Sequence, residues 1–260
     1  MSVASVTDKA AELAAQLVAA RTANGADGAL DALAPALRPA SADEAYDVQH
    51  ASLRALGAAI AGWKVGAKSV DGPAQGAPLP SAGVFRKPAT LPRAAFAKPG
   101  LELEIAFTLG RRFDAHSGPY DDAAVTDAIA SVHAAIEVVA SRFRAWPDVD
   151  RLWQLADLQN HGALIVGDGV RYDAAYPFAS PQLRFTFDGA SAFDGVPANP
   201  AGDPRRLLAW VVNHSVARGV AVEAGTVITA GTYTGLYAPS SPGVARGQID
   251  GMPPVQLTLV

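Results

Sequence analysis

The sequence predicts an α+β fold, and three observations carry that expectation. Helical periodicity is concentrated in the first sixty residues; most of the remainder alternates short apolar runs with Gly- and Pro-rich turns; strands and helices do not alternate as a doubly wound sheet requires. In the first helix, Ala10, Leu13, Ala14, Leu17 and Val18 share one face, and Gly25 is placed to end it. A second helix opens with Ser41 followed three residues later by Glu44, a capping-box spacing, and Gly57 stands at its far end. These helices form an expected N-terminal region, residues 1–60, ahead of a strand-rich domain over residues 61–260.

The expected strands are Ile60–Gly66, Leu101–Leu109, Ala134–Val139, Gly162–Val166, Leu183–Phe187, Val227–Ala230 and Val255–Val260. Asp71–Pro88 reads as a mobile loop, and Asp121–Val132 as a helix. A further helix is expected over Pro204–Arg218, with Asp203 as its cap, Pro204 in its first turn and Gly219 just past its end. Arg205 and Arg206 fall in that first turn, where the helix dipole disfavours cations, and plain solvent exposure is the expected reading.

Composition narrows the function. Half of the 260 residues are hydrophobic, 18% are charged, and the net charge of −4 is spread out, with no basic run beyond Arg111–Arg112. Nucleic acid is not an expected partner. The four tryptophans read as packing residues, because no basic stripe interleaves them. The absence of cysteine excludes disulfides, thiolate metal sites and cysteine nucleophiles, and fits a cytoplasmic protein. Ala10–Ala20 is apolar, but Asp8, Lys9 and Glu12 interrupt a signal-peptide pattern, and no apolar run reaches the ~20 residues of a membrane span.

The most informative segment is Leu101-Glu102-Leu103-Glu104-Ile105-Ala106-Phe107-Thr108-Leu109. As a strand it puts Leu101, Leu103, Ile105, Phe107 and Leu109 on one face and Glu102 and Glu104 together on the other. Two carboxylates so close repel one another unless water or a cation intervenes, and an oxygen-preferring divalent cation suits them. On spacing alone, a two-faced strand with solvated acids accounts for the pattern. Glu137 is the only charge within Ala134–Ala140. If that run is buried, Glu137 needs a cation or a strong donor; otherwise it faces water or pairs with Arg142. Three glutamates without a histidine or cysteine ligand would favour a hard cation over zinc.

These strings resemble the 2-keto-4-pentenoate hydratases of the fumarylacetoacetate hydrolase superfamily. The resemblance is carried in order by Ala45-Tyr46-Asp47-Val48-Gln49, Gly62-Trp63-Lys64-Val65-Gly66, Glu102 to Phe107, Ala135 to Arg142, Ala156-Asp157 and Gly231-Thr232-Tyr233-Thr234-Gly235. It implies a mixed β-sheet roll or barrel preceded by a helical region. It also implies Glu102, Glu104 and Glu137 as ligands of Mg²⁺ or Mn²⁺, Lys64 as the catalytic lysine, and substrate contacts from Asp157, Asn160, Gly231 and Thr232. The chain departs from the family pattern at Ser81, Ala140 and Leu158; Asn160, two residues past Leu158, reads either as a stand-in for the missing amide or, as local pattern favours, as a loop asparagine in water.

The activity so implied is hydration of a 2-hydroxy-2,4-dienoate to a 4-hydroxy-2-oxo acid, as in aromatic meta-cleavage catabolism. The alternatives are decarboxylation of a 2-oxo diacid, acylpyruvate C–C hydrolysis, and a non-catalytic 2-oxo acid binder or partner subunit. Hydrolysis ranks below hydration because none of the five histidines lies in a His-Glu motif, although His161 follows the Asp157 segment closely. A second-carboxylate pocket would be sought at Arg142, Arg144 and the Asp71–Pro88 loop. The resemblance further implies a homo-oligomer and association with a related decarboxylase.

Overall fold

A computed structural model describes residues 6–260 apart from 24 and 32. In chain order the elements are α1 (Val6–Ala23), α2 (Ala42–Leu56), β1 (Ile60–Gly66), β2 (Gln75–Pro80), β3 (Val84–Phe85), β4 (Ala89–Leu91), β5 (Gly100–Leu109), α3 (Asp122–Thr126), β6 (Ile129–Val139), α4 (Arg151–Ala156), β7 (His161–Arg171), β8 (Leu183–Phe187), β9 (Ala190–Ser191), α5 (Leu208–Ala217), β10 (Val227–Thr232), β11 (Gly243–Ile249) and β12 (Val255–Leu259). They form a seven-stranded sheet, ordered β2-β1-β10-β5-β6-β7-β3, and a five-stranded sheet, ordered β4-β12-β11-β8-β9. Both sheets are mixed: β1/β10, β3/β7 and β4/β12 are parallel pairs, and β5/β6/β7 is an antiparallel ladder. The α+β expectation and the N-terminal helical region hold.

The inner face of β5 explains why its acids point where they do. Leu101, Leu103, Ile105, Phe107 and Leu109 are fully buried in one cluster with Phe178, Phe185, Ile249 and Leu257 from across the sandwich. Each such side chain contributes about 1.5–3 kcal/mol on burial. A slip of one residue would expose all five and drive Glu102 and Glu104 into the core, so the register is strongly specified. On α1, Ala10, Leu13, Ala14 and Leu17 pack with Ala45, Tyr46, Val48 and Ala51 of α2 and with Phe143 and Leu155, a second cluster that lies against the sheet domain. Ser41 caps α2 as expected, accepting from the Glu44 amide at 3.2 Å, and Gly57 closes it at φ +59°.

Four expectations need correction. The helix expected over Asp121–Val132 is a single turn, and the chain becomes strand β6 at Ile129, where pairing with β5 from Ile129 to Val139 overrides local helical pattern. The Asp71–Pro88 segment contains β2 and β3; β2 is an edge strand against β1, which is where Pro78 and Pro80 are tolerated. The helix expected from Pro204 begins as a 3-10 turn, with α5 proper starting at Leu208. Arg205 and Arg206 are also not simply solvated: Arg205 pairs with Asp203 and lies 4.8 Å over the Phe178 ring, and Arg206 donates to the carbonyls of Ala201 and Ser69. Among the described residues, no helix is long and apolar enough to cross a membrane.

Candidate metal centre

The antiparallel register of β5 and β6 sets Glu102 directly opposite Glu137, with Glu104 one pleat further along β5. One carboxylate oxygen from each of the three lies within 4.8 Å of the others. Glu104 and Glu137 are buried and Glu102 is half-buried. Burial, then the charge of Glu137, pushes Glu102 up to about 7; burial and both neighbouring carboxylates push Glu104 up to about 8. Burial acts the same way on Glu137, but the Lys64 ammonium and the His161 ring outweigh it and hold Glu137 below the usual carboxylate range.

Each carboxylate is held by a specific device. Glu104 Oε2 accepts from the Thr229 hydroxyl and from the Gly231 amide at 3.1 Å. The second of these bonds exists because β10 bulges: Thr229 pairs with Ala106 but Thr232 with Glu104, three residues on β10 against two on β5. Gly231 sits in the bulge at φ +92°, a conformation that favours glycine, and Asn199 Nδ2 pins it through the carbonyls of Ala230 and Gly231 at 2.9 and 3.1 Å. Glu137 Oε1 accepts from Lys64 Nζ at 2.7 Å, and His161 Nδ1 lies 3.2 Å from the same oxygen. Burial pushes the His161 imidazole down to about 4, so at neutral pH it is an uncharged donor.

Lys64 reaches Glu137 only because the sheet curls. β10 and β5 stand between β1 and β6. Three strand spacings, about 14 Å in a flat sheet, exceed what a lysine side chain spans. Trp63 buries inward at 1% exposure, which turns Lys64 to the opposite face. Lys64 Nζ also donates to the Gln159 carbonyl at 3.1 Å. That carbonyl is presented by three successive left-handed residues, Leu158, Gln159 and Asn160, at φ 48°, 53° and 58°. Such a run of non-glycine residues is costly and needs surrounding structure to impose it.

The cluster opens into a cleft of about 600 Å³ whose lining includes Lys64, Glu102, Glu104, Glu137, Asn160, Gly231 and Thr232. Thr232 is half-exposed, its hydroxyl donating to Gly235 O at 3.3 Å and accepting from the Thr234 amide at 3.2 Å. Asn160 Nδ2 donates to Gln154 Oε1 at 2.9 Å, so the amide is on the cleft wall and held there rather than loose in water. Asp157, expected as a substrate contact, is not on that wall. It is buried beneath it, with Oδ1 2.5 Å from Arg142 Nε and Oδ2 2.9 Å from the Arg142 amide. Arg142 is thereby committed, and Arg144 pairs with Asp31 at the surface, so neither offers the second-carboxylate pocket expected of them. Ala140 and Leu158 are buried apolar residues, and Ser81 is exposed outside the cleft. Sequence reading missed Lys68, Trp146, Arg151, Gln154, Gln159 and Asn199, which line the cleft from loops and short elements that carry no periodic signal.

The donor set fits a hard divalent cation. Three carboxylates converge, Glu137 Oε2 is buried without a hydrogen-bond donor, and the cleft leaves room for a ligand beside them.

Comparison with known proteins gives a consistent picture. The family model described as fumarylacetoacetate (FAA) hydrolase C-terminal matches residues 62–250. A curated 2-keto-4-pentenoate hydratase of Burkholderia vietnamiensis (strain G4 / LMG 22486) is 29% identical over 168 residues, 65% of this chain and 63% of that protein. A 4-oxalocrotonate decarboxylase of Pseudomonas sp is 29% identical over 149 residues, 56% of this chain and 54% of the relative. The alignments thus span less than two thirds of either relative's length. The fold matches that of the 4-oxalocrotonate decarboxylase from Pseudomonas putida G7 complexed with magnesium and adipate, with a TM-score of 0.82, 18% identity and coverage of 97% of this chain and 98% of that one. With the match running from β1 through β11, across every strand that contributes a glutamate, the chain belongs to the fumarylacetoacetate hydrolase family.

Proposed function

We propose that the chain is a Mg²⁺- or Mn²⁺-dependent hydratase that converts a 2-hydroxy-2,4-dienoate into a 4-hydroxy-2-oxo acid. The observation that carries this reading is the convergence of Glu102, Glu104 and Glu137 with Lys64 on one cleft wall. When bound, the cation supplies a Lewis acid and a chelating anchor for the carboxylate and keto oxygens of a 2-oxo acid. Glu102, Glu104 and Glu137 would hold it. Lys64, kept protonated by Glu137 despite its burial, holds a proton at Nζ beside the cluster, suited to an oxygen that gains negative charge. Thr232, next to the bulged Gly231 on the cleft wall, would orient the substrate carboxylate, while Val139, Trp146, Pro147 and Leu236 give the cleft an apolar stretch for the hydrocarbon chain.

Decarboxylation of a 2-oxo diacid is the second reading, because Lys64 and a cation held by the same glutamates would stabilise the carbanion left by CO₂, and a relative carries that activity in its name. Acylpyruvate hydrolysis ranks lower. His161 and Glu137 do meet, a contact no local motif announced, but His161 is fully buried and does not line the cleft, so it orients Glu137 rather than activating water.

The test is the decay of ultraviolet absorbance of 2-hydroxypenta-2,4-dienoate with protein stripped of metal and then resupplied with Mg²⁺ or Mn²⁺. Metal-dependent decay yielding 4-hydroxy-2-oxopentanoate is expected. No decay of this or longer dienoates, in protein that still binds the metal, would overturn the hydratase reading.

A further inference from the structure

We propose that a second pocket, built where the end of α1 meets the turn after β6, binds a small monoanionic oxyanion of the formate or bicarbonate class on Arg21. Arg21 and the loop after α1, residues 95–97 ahead of β5, and Ala140, Ser141 and Arg142 line this pocket, which shares no lining residue with the cleft. Its volume is about 80 Å³. A water needs about 10–15 Å³ of such space, so the pocket holds a handful of heavy atoms and excludes a larger ligand. The small side chains of Gly25, Ala29 and Ala97 leave that space open beside the two arginines.

The charge balance selects the ligand. Arg21 and Arg142 donate to the same His161 carbonyl, at 2.6 and 2.9 Å, so two guanidinium groups converge on one oxygen. A single carboxylate serves them, and it is already taken. Asp157 Oδ1 accepts from Arg142 Nε, and Oδ2 accepts from the Arg142 amide and the Ser141 hydroxyl. Arg21 uses one of its five N–H donors; among the described residues it has no ion pair, and no carboxylate lines the pocket. Burial, then the charge of Arg142, pushes Arg21 down to about 9 against the pull of Asp157, so at neutral pH it is a cation lacking a counter-charge. The C-terminus of α1, worth about half a negative charge, offsets only part of that surplus. A monoanion closes the balance and a dianion overshoots it. A planar oxyanion also meets the guanidinium fork through two parallel hydrogen bonds, which a spherical chloride cannot.

The experiment replaces chloride with formate at fixed ionic strength around the full chain, freed of metal so that formate finds no cation to chelate at the glutamates. Calorimetric heat and melting temperature are followed together. The expected result is saturable binding of one formate per chain, with the melting temperature raised by about 3–5 °C at ten times Kd. Arg21→Gln removes the fork, whereas Ala97→Leu fills the pocket and leaves the Arg21 bond to His161 in place. Each is expected to weaken formate about tenfold or more. If Arg21→Gln does not fold, Ala97→Leu decides alone. No saturable gain over chloride in the wild type overturns the inference. So does an affinity that the folded variants leave intact, since the ion then sits elsewhere. The reading of the glutamate cluster stands under either outcome.

Discussion

Lys64 Nζ lies 2.7 Å from Glu137 Oε1, joining two side chains whose strands are not neighbours in the sheet. The pair is nearly dry, with side-chain exposures of 12% and 1%. Lys64→Met therefore leaves a buried carboxylate without its counter-charge, which costs about 3–5 kcal/mol in metal-free protein. Chemical denaturation should show that loss, and added Mg²⁺ should recover part of it. Turnover of the dienoate is expected to fall at least about a hundredfold even in metal-saturated protein, the size typical of a lost proton donor.

Glu104 is the proposed ligand with the most elaborate support, from Thr229 and the bulged Gly231 amide. Glu104→Ala is expected to abolish metal-dependent turnover and to weaken Mg²⁺ binding measured by titration. Thr229→Val keeps the carboxylate but removes one orienting donor, and a loss of about ten- to a hundredfold in metal affinity is expected. Full activity in Glu104→Ala would sink the site assignment.

Metal-free protein should become less stable as pH rises. Glu102 and Glu104 titrate near 7 and 8 in the fold, against about 4.5 when unfolded, so between those limits the folded state binds more protons and stability falls with pH. Glu137 acts in the opposite sense, contributing stability above its ordinary value that is lost only as pH drops through its lowered one. The melting temperature of metal-free protein should decline from about pH 5 to pH 8. Saturating Mg²⁺ should flatten that slope, and calorimetry in buffers of different ionisation heat should record proton release on binding.

Asp157 and Arg142 offer a test that separates support from contact. Both are buried, and they form one network with Ser141 and the His161 carbonyl. Asp157→Asn leaves the guanidinium uncompensated, and a stability loss of about 3–5 kcal/mol is expected. A substrate contact would instead show itself as a raised KM in a protein of unchanged stability.

The legibility of this site follows from the range of the interactions that build it. Glu102 and Glu104 could be read from the sequence because a strand's period of two sorts charge from apolar face locally, and Glu137 because a lone charge interrupts an apolar run. Their convergence could not, since it depends on the β5/β6 register and on the curl that carries Lys64 over β10 and β5. β2 was hidden by Pro78 and Pro80, which mark loops except on an edge. The start of β6 was hidden in a segment whose helical spacing lost to long-range pairing. His161, Lys68 and Arg151 carry no local signature. Their placement follows the left-handed turn at Leu158–Asn160 and the ends of β1 and α4.

Arg21, near the end of α1, donates to the His161 carbonyl at 2.6 Å, beside a second bond from Arg142 at 2.9 Å. That carbonyl belongs to the histidine that steadies Glu137, so the first helix is a buttress of the carboxylate cluster although the family match begins only at residue 62. Recombination between relatives must respect this dependence. A chimaera that grafts foreign leading helices onto the sheet, without an arginine in register with Arg21, would inherit every glutamate and still misplace one of them.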